Sequence, residues 1–182
     1  MTIWFGRPAD ADWGQPRDCW FFPTAAFDRL LRERFSDATG QAARGDLDHL
    51  AADAQGTLAL LVLLDQLPRN LYRDDPRAFA SDAKALALAT DAVGAGTDRL
   101  VEPIQRWFFY LPFEHSENIG DQDRAVALFA SLGPDHQQGL DYAERHRAII
   151  RRFGRFPHRN RILGRAGTPQ ETAFLETSEL GF

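Results

Sequence analysis

Cysteine occurs once in this 182-residue chain, at Cys19, so no internal disulfide and no thiolate metal cluster can form. The longest apolar run, 58–64, is seven residues, far short of the roughly 20 that a membrane-spanning helix needs. The opening stretch, MTIWFGRPADADWG, has neither the basic nor the apolar part of a secretory signal. These absences lead to the expectation of a cytoplasmic protein with no membrane partner. Lysine is nearly missing too: Lys84 stands against twenty arginines. Genomic base composition can produce that bias, so a single arginine carries little argument by itself. No P-loop, GxGxxG or GxSxG motif occurs, which leaves nucleotide cofactors and a serine hydrolase without support. Neither HExxH nor a paired ExxH spacing supplies a metal site. No metal and no cofactor are expected.

What is present is an ordinary globular composition, 44% hydrophobic and 26% charged. At this length a single domain over 1–182 buries about 70% of its unfolded surface. Apolar residues recur at spacings of three and four, and no window alternates with period two, so the fold class is all-α. Thr24 is placed to cap a helix over 25–35, and a weaker helix is expected over 41–52. The segment 55–67 is apolar nearly all round, as in a helix buried in the middle of a fold, and Pro68 is expected to end or kink it. Asp75-Pro76 and Glu102-Pro103 both start helices by the rule that places proline in the first turn. A short helix over 121–131, a long one over 134–153 stopped by Gly154, and a capping box at Thr168–Glu171 complete the pattern. The sum is a stack of antiparallel helical hairpins without a clear repeat.

Three polar clusters stand out. The first, Asp65-Gln66-Leu67-Pro68-Arg69-Asn70, ends the most apolar helix, where polar groups must find partners. Asp65 and Arg69 are spaced to pair on a helix. The second, Glu114-His115-Ser116-Glu117, follows the aromatic run that begins at Trp107. Its histidine beside two carboxylates suits a general acid or base. The third is GRFPHRN (154–160), within 145–165, a segment with eight arginines and no acid. The segment is therefore +8 in a chain of net charge −5, leaving the remainder at −13. Arg155 and Arg159 flank His158 and Asn160, and guanidinium groups fit carboxylates bidentately. Each cluster also has a structural reading, as a capping or ion-pair network. The acidic whole and the sparse aromatic interleaving argue against nucleic acid. His146 lies on the apolar face of its helix and reads as a core histidine. Nothing in the pattern bears on oligomeric state.

Taken in order, these segments resemble the DUF924 family of uncharacterised bacterial proteins. The resemblance rests on Trp4-Phe5-Gly6, on 63–89 with its DQ-PRN core, on 108–129 with EHSE, and on 146–165 with GRFPHRN followed by TPQETAFL. Leu67 stands where phenylalanine is common in the family, a change for packing alone. The resemblance implies an all-α fold of the TPR-like superfamily and the location of a site, and it implies no reaction.

The expectation is that the clusters converge. One possibility is a pocket for a small anionic or carboxylate ligand, bound by Asp65, Gln66, Arg69, Asn70, Trp107, Glu114, Glu117, Arg155, Arg159 and Asn160. Another is an enzyme acting on such a molecule, with His115 or His158 as acid or base. A third is an interaction or structural protein whose polar clusters only staple helices together.

Overall fold

A computed structural model describes residues 1–22 and 24–177, so the end of the expected 1–182 domain lies outside the described residues. The regular elements among these residues are helices and helical turns, with no strand, and the described residues fall into two compact units: 1–73 with 77–112, and 74–76 with 113–177.

In the first unit, α1 (Thr2–Phe5) and α2 (Asp18–Phe21) bring Trp4, Phe5 and Trp20 onto Phe108, with ring centroids 4.9 to 5.9 Å from it and near-perpendicular planes. Edge-to-face contacts of this kind add to the area that the rings bury. The helix capped by Thr24 runs on as α3 (Ala25–Arg44) to Gly45, whose φ of 94° stops it. The separate helix expected over 41–52 is therefore corrected. Its first part completes α3, and Asp48–Ala52 is a 3-10 turn.

The apolar segment does not end before Pro68. Helix α4 (Ala54–Leu61) passes through a π turn, Val62–Gln66, into α5 (Leu67–Leu71), which carries Pro68 in its first turn. A wider turn at this point accommodates a residue that lacks an N–H. Leu58, Leu60, Leu61 and Leu64 are all at most 1% exposed, each stabilising the fold by about 1.5–3 kcal/mol. Helix α6 (Asp82–Gly94) packs on α4, and α3 packs on α5. Pro76 opens only a 3-10 turn. Helix α7 (Pro103–Glu114) starts at the expected proline but extends through Pro112; its last two residues belong to the second unit.

In that unit, α8 (Ile119–Ala130) begins at Asn118, whose side chain accepts from Gly120 N at 2.8 Å. It packs along α9 (Gln137–Phe153), which Gly154 ends in the left-handed region. The core here is Ile149, Ile150 and Phe156, with Phe153 and Phe174 against it. Helix α10 (Pro169–Thr177) has the expected capping box: Thr168 N donates to Glu171 Oε2 at 2.7 Å, and Glu171 N to Thr168 Oγ1 at 3.2 Å.

Candidate functional site

The first cluster lies wholly in the first unit, and much of its polarity is spent internally. Arg69 meets Asp82 through two nitrogens at 2.9 Å each and Asp65 at 3.4 Å. Burial acts against the Arg69 charge, but Asp65 and Asp82 outweigh it and raise the guanidinium's pKa. The Gln66 amide donates to Asp65. Asn70 Nδ2 donates to Asp28 at 2.9 Å, and Arg73 grips the same carboxylate at 2.8 and 3.1 Å. Burial pushes the Asp28 carboxyl up, yet these donors and the Arg73 charge hold it below its usual range. The network ties α5 to α6 and α3. Trp107, expected on a pocket wall, is 1% exposed and lies 6.2 Å from Phe21, so it offers a ligand almost no surface.

The second and third clusters meet inside the second unit, on Glu117. Its carboxylate accepts Phe156 N at 2.8 Å and Arg165 at 2.6 and 3.0 Å. Burial works to raise the Glu117 carboxyl, but the Arg165 and Phe156 bonds and the Arg165 and Arg159 charges bring it below the ordinary value. Arg165 also donates to Asn160 Oδ1 and to Phe156 O. The loop is thus closed on itself and fastened to the EHSE segment. Arg155 turns elsewhere, to Glu171 at 2.6 and 2.8 Å and to Ala166 O. That grip, with the Thr168 N–H, holds the Glu171 carboxyl down to about 2.

Within this frame Arg159 is 6% exposed, its guanidinium 4.5 Å above the fully buried ring of Phe156. His158 packs on the same ring at 5.6 Å. On the other side, His146 lies 5.5 Å from Phe156 and 6.3 Å from His115. The two histidines singled out in the sequence therefore belong to one chain of ring contacts, running His115, His146, Phe156, His158.

His146 is more than a core residue. Its Nδ1 is 3.0 Å from Glu114 Oε1 and 2.9 Å from Tyr142 O, both acceptors, so Nδ1 carries a proton. Glu114 is 2% exposed and its Oε2 has no hydrogen-bond partner, while Gln122 donates its amide N–H groups to Glu114 O and Ser116 O. Sequence reasoning missed the pairing because Glu114 and His146 come from different helices, and no local spacing connects them. Among the described residues, no group of three His, Cys, Asp or Glu could hold a metal ion, and no helix is long and apolar enough to cross a membrane.

A family model described as a bacterial protein of unknown function, DUF924, matches residues 1–179. A solved structure titled as that of a protein of unknown function, ATU0120, from Agrobacterium tumefaciens is similar to this chain at 46% identity, with a TM-score of 0.84. The likeness covers 88% of this chain and 90% of that one. No curated protein matches.

Proposed function

From the premise that the chain belongs to the DUF924 family of bacterial proteins, which hands down no activity, we propose that the second unit binds a small anionic or carboxylate ligand through the 154–165 segment. One observation carries this reading: the buried guanidinium of Arg159, laid on the buried ring of Phe156. Removing a guanidinium from water costs several kcal/mol before compensation. Stacking on a fixed ring sets the plane of the guanidinium in advance, as bidentate capture of a carboxylate requires. Arg155 and Arg165, with Glu171 and Glu117, form the frame, and the His158 ring packs on the same Phe156 ring as Arg159.

The test combines native mass spectrometry of the purified protein with thermal melts in succinate and in inorganic phosphate. A ligand at about 100 times its Kd adds roughly 2.7 kcal/mol of stability. The wild type is expected to gain several degrees, and Arg159→Gln, which also loses the charge that favours the Glu117 carboxylate, to melt lower and to gain nothing from either anion. A wild-type protein with no bound small molecule and no response to either anion would instead mark the loop as a staple.

A second reading, an enzyme on the same class of molecule, is favoured by the Glu114–His146 pair. A buried carboxylate that accepts Nδ1–H fixes the orientation of the imidazole, as in acid–base histidines held by a carboxylate. The acid or base on this reading is His146, with His115 and His158 along the same ring chain. A bound molecule recovered unchanged after incubation supports the binder, and its conversion supports the enzyme.

A further inference from the structure

The first unit holds a cleft of about 380 Å³ at the head of α7, lined by Trp13, Gln55, Arg99, Leu100, Glu102 and Gln105. Its size falls in the range of about 300–1,000 Å³ typical of small-molecule sites. None of these residues belongs to the three polar clusters, and the geometry points to a second site here, for a free amino acid with an aromatic or aliphatic side chain.

Three features carry this. Gln105 is 5% exposed, yet only half of its amide is used within the fold: Oε1 accepts from Glu102 N at 3.2 Å, and Nε2 donates to no described residue. Gln105 lines the cleft, and with its oxygen turned back to the helix start its amide N–H groups are available to an acceptor bound there. The start of α7 adds the positive end of a twelve-residue helix, and Arg99 adds a full positive charge at the rim. Together they suit a carboxylate.

Glu102, also on the rim and exposed, has the opposite sign and would repel a simple anion. A molecule with an ammonium beside its carboxylate satisfies both charges. The third feature is Trp13. Trp4, Trp20 and Trp107 are 3%, 6% and 1% exposed, whereas Trp13 stands half-buried at the cleft wall. Beside it Leu100 is 75% exposed. An indole and an aliphatic side chain beside one positive and one negative side chain fit an apolar amino acid.

L-Phenylalanine, 3-phenylpropionate and phenethylamine probe the site, by calorimetry and saturation-transfer NMR on the full chain. Phenylalanine is expected to bind saturably and more tightly than either fragment. Arg99→Gln should erase the advantage over phenethylamine, and Glu102→Gln the advantage over 3-phenylpropionate, each weakening phenylalanine about three- to tenfold. Gln105→Glu, which keeps the oxygen cap but replaces the donor with a negative group, should weaken it further. Arg99 and Glu102 have exposed side chains, so their variants should melt within about 1 °C of the wild type. Arg34→Gln, on the exposed face of α3, should bind as the wild type does. No saturable binding of phenylalanine below about 10 mM would overturn the proposal, as would affinities unchanged by Arg99→Gln and Glu102→Gln.

Discussion

Replacing Glu117 with glutamine tests whether one carboxylate holds the 154–165 loop in place. Three donors converge on it: Phe156 N at 2.8 Å and two Arg165 nitrogens at 2.6 and 3.0 Å. Glutamine offers a single oxygen, so it can serve either the backbone N–H or part of the guanidinium. Its own NH2 then faces a donor. Bonds to charged groups contribute about 1.5–3 kcal/mol each when shielded. Arg165 and Glu117 are 25% and 27% exposed, so solvent screening brings each towards the lower end. Losing about two of three bonds gives a cost of about 2–3 kcal/mol. For a chain of this length that is a fall in Tm of roughly 4–12 °C at pH 7.

The pH dependence has a definite sign. Because the Glu117 carboxyl is lowered in the fold, its stabilisation is fully present above the unfolded value of about 4.5 and is lost as pH falls through the lowered one. The gap between wild type and Glu117→Gln should therefore stay constant from pH 8 to about 5 and close below pH 4.5. A double-mutant cycle with Arg165→Met should return a coupling of about 1–2 kcal/mol. If thermal melts place Glu117→Gln within 2 °C of the wild type at pH 7, the loop is held by something else and the reasoning fails.

Three further expectations follow from single features. Gly154→Ala meets no atom within 4 Å but must adopt a φ of 69°, so it should cost about 1 kcal/mol in chemical denaturation; a neutral result would mean that the end of α9 relaxes. Asn118→Ala removes the cap on Gly120 N and should cost about 1 kcal/mol, with faster amide exchange confined to the first turn of α8. Glu171→Gln should destabilise the fold at pH 7. Because the Glu171 carboxyl is held down to about 2, that penalty should still be present at pH 4 and be lost only as pH falls towards 2; a penalty that vanishes by pH 5 would contradict the Arg155 grip.

The all-α class was legible because spacing of three and four persists along nearly the whole chain. Helix ends that depend on a local residue were legible too: Thr24, Gly154 and the Thr168–Glu171 box act as expected because capping needs only neighbours in sequence. The misjudged boundaries were those where tertiary packing overrides a local rule. Pro68 and Pro112 both sit inside helical runs, at positions where the chain adapts by a π turn or carries the proline within a longer helix. The charge count pointed to a partner outside the protein, whereas Arg165 of that segment meets Glu117 of EHSE. Nothing local shows that Arg155 pairs with Glu171, because that partner is brought by the fold of α10. His146 was assigned to the core from its helical face alone, and the buried acid opposite it has no signature in α9.

The π turn at Val62–Gln66 changes how the chain tolerates length. A π turn holds one residue more than an α-helical path needs. Deleting one residue there would leave a regular α-helix along the same path, so Asn70 and Arg69 would keep Asp28 and Asp82. A deletion one turn earlier, within α4, has no surplus residue to absorb it and would rotate everything after it by about 100°. The chain can therefore be shortened at the π turn and not in the turn before it.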